Sequence, residues 1–124
     1  MKITELMRAT EGILLNQDAN LEKEAKGGFA ADLMSDVLAS IQPDSILVTG
    51  LSNPQVIRTA VMADISAIFL VSGKTPPVET LELARLEKIP LISTSMDMYQ
   101  VCGKLFAAGL PSFENNCQEI FLPE

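Results

Sequence analysis

A glycine, a lysine and a threonine follow an apolar run of the chain, and this order suggests phosphate chemistry. They are Gly73, Lys74 and Thr75, directly after the run 67–71 and one serine. A nucleotide-binding P-loop reads G-x-x-x-x-G-K-[ST], because its first glycine lets the loop wrap the phosphates with backbone amides. If Gly73 is the second glycine, the first should stand where Ile68 lies within the apolar run. The sequence therefore predicts a tight turn between a strand and a helix, and it argues against a P-loop.

Other catalytic patterns are also missing. Pro76 and Pro77 follow the turn and have no amide hydrogens to direct at a phosphate. The chain contains no histidine and no G-x-G-x-x-G after an apolar run, which excludes a Ser-His-Asp triad and a dinucleotide fingerprint. Its two cysteines do not form a C-x-x-C pair, so a zinc site is not expected. We expect no enzyme activity, no catalytic residues, no metal and no cofactor.

One pair of acidic residues has a spacing that could support acid–base chemistry. Asp32 and Asp36 are four positions apart, so on a helix they would share a face and could perturb each other's pKa. Solvated or capping carboxylates are the more common outcome of such a spacing. Both interpretations remain open at the level of sequence.

Short apolar runs alternate with helical patterns from Phe29 onward. The runs do not alternate with polar residues, which is typical of parallel strands buried on both faces, and they are 46–48, 67–71 and 90–93. Apolar residues at helical spacing lie between and after them, in 33–41, 56–61 and 98–106. An earlier short strand is predicted at 12–16, followed by a polar connection that ends in a glycine pair. These patterns predict a three-layer α/β/α sandwich with a mostly parallel central sheet.

Capping residues mark the helix starts. Asn53 is a candidate cap before Pro54, and Ser52 with Gln55 is an alternative capping box. Thr94 and Asp97 have capping-box spacing before the last helix, and Cys102 lies on the apolar stripe of that helix. We interpret this cysteine as a packed thiol rather than a nucleophile.

The carboxyl ends of the three predicted strands carry polar side chains. In an open α/β sheet, ligands bind beyond these ends, where helix amino termini also favour anions. We call these polar residues the strand-end crest and expect them to bind a small anionic metabolite or nucleotide: Thr49, Ser52, Asn53, Ser72, Lys74, Thr94 and Ser95. The alternative is a plain turn at Gly73 with a solvated lysine.

Charge and hydropathy limit the partners. The formal net charge of −7 repels nucleic acid, and the nine Lys and Arg residues are scattered along the chain. No apolar run approaches the roughly 20 residues that span a bilayer, and no signal peptide is recognisable at Met1. We therefore predict a cytoplasmic protein that binds neither nucleic acid nor membrane.

Several segments together resemble the DRTGG domain family. The resemblance covers roughly 1–110 and rests on matching pieces in order: Gly27-Gly28-Phe29, Ala31 to Asp36, Thr49-Gly50, Asn53-Pro54-Gln55, Arg58-Thr59-Ala60, Gly73-Lys74, Ile89-Pro90 and Ser93-Thr94. Residues 24–28, EAKGG, stand where the name-giving motif falls, and only its glycine pair is present. The resemblance therefore assigns no role to the Asp, Arg and Thr of that motif.

This resemblance implies a fold similar to the amino-terminal domain of HPr kinase/phosphorylase, which has no kinase activity of its own. Related domains occur in phosphotransacetylases and between CBS domains of regulated pyrophosphatases, where they are accessory. The implied function is a stand-alone regulatory, ligand-sensing or scaffold domain that forms homodimers. The alternatives are a module acting on a separately encoded enzyme, or a small phosphoryl-chemistry enzyme.

The C-terminal tail carries apolar residues outside the predicted core elements. We predict one domain over 1–110 and a tail over 111–124 that packs on the domain or on a partner subunit. Phe113, Ile120, Phe121 and Leu122 supply its apolar surface.

Overall fold

The protein forms one sheet covered by helices on both faces. The computed structural model describes residues 1–112. Its strands are β1 (Ile13–Leu14), β2 (Gly27–Ala30), β3 (Ser45–Thr49), β4 (Ala67–Leu70) and β5 (Leu91–Ser93). Its helices are α1 (Ile3–Ala9), α2 (Met34–Ser40), α3 (Pro54–Met62), α4 (Val78–Glu87) and α5 (Met98–Ala107).

The strand order in the sheet is β1-β5-β4-β3-β2. Strands β2 to β5 pair in parallel, and β1 pairs antiparallel with β5. Strands β3, β4 and β5 each lie beside the strand that precedes them in the chain, so successive right-handed crossovers place their helices on the same face. The sheet is therefore mostly parallel, as the sequence predicts.

Two separate apolar clusters show which helices cover which face. One cluster joins α1 and α5 to the sheet through residues such as Leu6 and Leu105. The other joins α2, α3 and α4, with Val37, Val56 and Ala84 among its buried residues. The helices thus form two layers around the sheet, and the predicted three-layer α/β/α sandwich is confirmed.

Strand β4 explains why the apolar runs lack polar alternation. Ala67 and Phe69 belong to the cluster with α1 and α5, whereas Ile68 and Leu70 belong to the cluster with α2, α3 and α4. All four residues are completely buried. Successive side chains of a strand point to opposite faces, and here both faces are covered.

Strand β2 differs from the sequence-based expectation. The sequence predicts that the glycine pair ends a polar connection, but Gly27 and Gly28 pair in register with Ser45 and Ile46. Glycine has low strand propensity, so the sequence gives little signal here. The strand forms because its backbone completes the edge of the sheet next to β3.

Two helix starts also differ in detail from the predicted caps. Helix α5 begins after Asp97, whose side chain accepts a hydrogen bond from the amide of Gln100 at 2.8 Å, so the capping box is Asp97–Gln100 rather than Thr94–Asp97. Asn53 is the residue before α3, but its side chain makes no capping hydrogen bond.

The predicted division at residue 110 falls close to the end of the described chain. Leu110 is buried in the cluster with α1 and α5, and Pro111 and Ser112 lie beside β2. The four apolar tail residues of the prediction lie outside the described residues, so the packing of the tail remains a prediction.

Candidate functional site

The loops after β4 and β5 are joined directly by backbone hydrogen bonds. The amide of Ser72 donates to the carbonyl of Met96 at 2.7 Å, and the amide of Gly73 donates to the carbonyl of Thr94 at 2.8 Å. Ser72 and Gly73 have φ angles of +63° and +65°, so the chain turns sharply here. Glycine adopts this conformation readily, whereas serine does so at some cost.

This geometry shows that Gly73, Lys74 and Thr75 do not form a phosphate-binding loop. A phosphate-binding loop directs its amides at the ligand. Here the amides of Ser72 and Gly73 are bonded to carbonyl oxygens of the neighbouring loop. The segment is a strand-end turn, and Ile68 lies fully buried where a P-loop would need its first glycine.

Thr94 is a structural member of the strand-end crest. Its side chain is buried, and its hydroxyl donates to the carbonyl of Thr10 at 2.6 Å. The same oxygen accepts a hydrogen bond from the amide of Met96 at 3.2 Å. Thr94 therefore holds the β5 loop against the end of α1, and its hydroxyl does not face solvent.

Thr49 has a similar role at the end of β3. Its buried hydroxyl donates to Oδ1 of Asp32 at 3.0 Å and accepts from the amide of Leu51 at 3.1 Å. The same carboxylate oxygen of Asp32 accepts from the amide of Gly50 at 2.7 Å. Asp32 thus fixes the loop after β3 to the segment that follows β2.

The structure corrects the interpretation of Asp32 as a helical partner of Asp36. Helix α2 begins at Met34, so Asp32 precedes it and does not share a helix face with Asp36. The sequence by itself does not reveal the role of Asp32 at the crest. Its position just after the glycine-containing strand β2 was the available signal, because short acidic side chains often bond to backbone amides in loops.

The other crest residues differ in exposure. Ser52 is half-buried, and its carbonyl accepts a hydrogen bond from the hydroxyl of Thr80 on α4 at 2.7 Å. Asn53, Ser72, Lys74 and Ser95 are exposed. The structure therefore divides the seven predicted residues into a solvent-facing group and a supporting group.

Three of the solvent-facing residues, Ser72, Lys74 and Ser95, lie where adjacent loops lead to opposite faces of the sheet. The β4 loop leads to α4, which covers one face, and the β5 loop leads to α5, which covers the other. Such a switch point is where open α/β sheets bind ligands. Lys74 supplies positive charge on the β4 loop. The carboxylates of the neighbouring loops already accept backbone hydrogen bonds, Asp32 from Gly50 and Asp97 from Gln100.

A separate apolar cavity lies beside β2, the strand at one lateral edge of the sheet, and is bounded by α5. Its volume is about 440 Å³, and its lining includes Phe29, Ala31, Cys102, Leu105 and Phe106. Burial raises the pKa of the Cys102 thiol above its ordinary value. A raised pKa lowers the thiolate fraction, which supports the interpretation of this cysteine as a packed thiol.

Within residues 1–112, no three acidic or cysteine side chains group together in a way that could hold a metal ion. Over the same part of the chain, no helix is long and apolar enough to cross a bilayer.

The fold and the strand-end crest define a class: three-layer α/β domains with a mostly parallel sheet and polar loops at the carboxyl ends of the strands. A family model for the DRTGG domain matches residues 5–108. The chain belongs to the DRTGG domain family.

Among solved structures, the fold is similar to the crystal structure of the CBS and DRTGG domains of the regulatory region of Clostridium perfringens pyrophosphatase, complexed with the activator diadenosine tetraphosphate. The TM-score is 0.65 at 16% sequence identity, and the match covers 89% of this chain and 47% of that chain. The chain thus spans about half the length of the solved chain, and the likeness concerns the fold. A search of curated proteins found no match.

Proposed function

We propose that this chain is a non-catalytic regulatory domain that binds a small anionic metabolite or nucleotide at the strand-end crest. Membership of the DRTGG family supports a regulatory role. The similar solved structure is a regulatory region in complex with a nucleotide activator, which supports a phosphate-containing ligand. The absence of histidine from the sequence supports a non-catalytic role.

The observation that carries the proposal is the switch point between β4 and β5. The hydrogen bonds from Ser72 and Gly73 hold the two loops together and leave Lys74 and Ser95 exposed. Lys74 would supply the charge for a phosphate group, and the hydroxyls of Ser72 and Ser95 would donate hydrogen bonds. Thr49 and Thr94 would act as positioning residues, because the hydrogen bonds of their buried hydroxyls fix the loops in place.

Replacement of Lys74 by alanine is expected to weaken nucleotide binding about tenfold, because a charge-assisted hydrogen bond to phosphate is lost. Isothermal titration calorimetry with ATP, diadenosine tetraphosphate and common phosphometabolites measures this change. The wild-type affinity should also fall as salt is raised, because the contact is electrostatic and solvent-exposed.

Lys104→Ala is the matched control for this experiment. Lys104 is an exposed lysine in the last turn of α5, whereas the crest lies at the amino end of that helix. Its replacement removes the same charge and should leave the affinity unchanged. Absence of heat with every ligand, or equal losses in both variants, would contradict binding at the crest.

We also propose that two copies of the chain associate through the outer face of α5. Tyr99 and Phe106 lie seven residues apart, so they share a helix face, and they are 89% and 74% exposed. Two large exposed rings on one face are a common feature of interaction surfaces. Association with a separately encoded enzyme is the second candidate use of the same surface.

Light scattering at micromolar concentration is expected to give twice the 13.4 kDa mass of one chain. Tyr99→Glu should weaken association about tenfold or more, because it buries an unpaired charge in the interface. Leu86→Glu is the control, since Leu86 is 75% exposed on α4 at the opposite face of the sheet. A monomer mass at all concentrations, or dissociation by Leu86→Glu only, would refute this interface without affecting the ligand proposal.

A further inference from the structure

The carboxylate of Asp32 is fixed at the carboxyl ends of the strands through only one of its two oxygens. Its Oδ1 accepts hydrogen bonds from the hydroxyl of Thr49 at 3.0 Å and from the amide of Gly50 at 2.7 Å. Among residues 1–112, Oδ2 accepts no hydrogen bond and forms no ion pair. Asp32 is exposed, so a ligand can reach this carboxylate from solvent.

Gly50 leaves space beside the same carboxylate. A Cβ atom at position 50 would lie 3.5 Å from Oδ1 and 3.6 Å from Oδ2 of Asp32, so a side chain there would cover both oxygens. The hydrogen bonds from Thr49 and Gly50 already order the carboxylate, so a ligand that binds it does not have to do so. Asp32 is therefore a preorganised hydrogen-bond acceptor.

An acceptor of this kind selects a ligand group that donates hydrogen bonds. A carboxylate only accepts, and its hydrogen bonds with hydroxyl groups are charge-assisted. Phosphate oxygens carry charge of the same sign, so Asp32 would repel them. Ribose hydroxyls are neutral donors, and in doubly wound α/β folds an acidic side chain beyond a strand binds them.

The register of the sheet places Asp32 at a suitable distance from Lys74. Ala30 on β2 is level with Phe69 on β4, because both residues pair with Val48 on β3. Asp32 follows Ala30 by two residues, and Lys74 lies in the loop that follows β4. The two loops thus leave the same ends of the strands, two strand spacings or about 10 Å apart. A phosphate ion is too small to contact both loops, whereas an extended nucleoside triphosphate is long enough.

We propose that the ligand of the strand-end crest is a ribonucleotide and that Asp32 recognises its ribose. This inference rests on the proposed function, in which Lys74 and Ser95 bind the phosphate groups. The free oxygen of Asp32 accepts hydrogen bonds from the 2′- and 3′-hydroxyls of the sugar. Asp32 then has two roles, because Oδ1 positions the loop after β3 and Oδ2 selects the ligand.

Comparison of ATP with 2′,3′-dideoxy-ATP tests this role, since the two ligands have the same base and the same phosphates. In isothermal titration calorimetry we expect the wild type to bind ATP about tenfold more tightly, which corresponds to one charge-assisted hydrogen bond. Asp32→Asn keeps an oxygen for Thr49 and Gly50 but loses the charged acceptor. This variant should bind ATP about tenfold more weakly than the wild type does, whereas 2′,3′-dideoxy-ATP and tripolyphosphate should bind at least as tightly as before.

Asp18→Asn is the matched control. Asp18 is exposed and follows β1, which runs antiparallel to β5, so it lies towards the amino end of β5 and away from the crest. Its replacement removes the same charge and should leave the preference for ATP unchanged. Urea unfolding checks that Asp32→Asn is folded; if it is not, the comparison of the two ligands on the wild type decides by itself.

The outcomes separate ribose recognition from the phosphate site. Equal affinities of the wild type for ATP and 2′,3′-dideoxy-ATP would overturn the role of Asp32 and leave the proposed phosphate site intact. Equal losses for both ligands in Asp32→Asn would also overturn it, because Asp32 would then act only on the loop. Absence of heat with ATP, 2′,3′-dideoxy-ATP and tripolyphosphate would overturn the crest as a nucleotide site, and ribose recognition with it.

Discussion

Replacement of Asn16 by leucine is expected to destabilise the protein by about 3 kcal/mol, because two buried backbone groups lose their partners. Asn16 is 1% exposed. Its Nδ2 donates to the carbonyls of Ala84 and Ile89 at 3.2 and 2.6 Å. Its Oδ1 accepts from the amide of Leu91 at 2.9 Å.

The three backbone groups that bond to the Asn16 side chain are not affected equally by the substitution. The carbonyl of Ala84 still accepts from the amide of Ile89 after the substitution, at 3.2 Å in the present structure. The carbonyl of Ile89 and the amide of Leu91 lose the side chain that bonds them. Leucine has a similar volume, so no water can enter in its place, and the full desolvation cost of both groups appears in the free energy of unfolding.

Urea unfolding followed by circular dichroism measures this change. Asn20→Leu is the matched control: Asn20 is exposed, and its side chain accepts a hydrogen bond from the amide of Glu22. We expect this control to lower the free energy of unfolding by less than about 1 kcal/mol. Similar midpoints for both variants would show that the buried amide is not a major source of stability.

Replacement of Leu70 by alanine is expected to destabilise the protein by about 3 kcal/mol, within the usual range for a buried leucine. Leu70 is completely buried on the central strand β4 and packs in the cluster with α2, α3 and α4. The substitution removes buried apolar surface and leaves a cavity that the surrounding side chains fill only in part.

Leu86→Ala provides the same chemical change at the surface. Leu86 is 75% exposed on α4, and alanine is a good helix former, so we expect a change below about 0.5 kcal/mol. Thermal or urea unfolding of the two variants gives the comparison. If Leu86→Ala proved as costly as Leu70→Ala, the assignment of Leu70 to the core and Leu86 to the surface would be wrong.

The main elements of the fold could be predicted from local patterns. The apolar runs at β3, β4 and β5 have only one common explanation in a short chain with intervening helical stripes, which is a parallel sheet covered on both faces. Strand β2 could not be predicted with the same ease. Its glycine pair has little strand propensity, and its conformation depends on pairing with Ser45 and Ile46, which are distant in sequence.

The sequence could predict that these polar loops lie near one another, but it could not predict the different roles of their residues. Parallel strands end at a common edge, so Thr49, Ser72 and Thr94 were expected near one another. The sequence did not reveal that the hydroxyls of Thr49 and Thr94 bond to Asp32 and to the carbonyl of Thr10. These contacts join residues far apart along the chain, and no local spacing encodes them.

By itself, the sequence determined the α/β class, the absence of a P-loop and the family, because strand and helix periodicities and the residue at position 68 are local properties. The tertiary structure decided which crest residues face solvent. It did so through the hydrogen bonds that tie Ser72 and Gly73 to the β5 loop, which turn the apparent phosphate-binding amides towards carbonyl oxygens. Lys74 remains exposed beside them. Its exposure depends on where the loop of the adjacent strand lies, and the sequence around Lys74 does not determine that position.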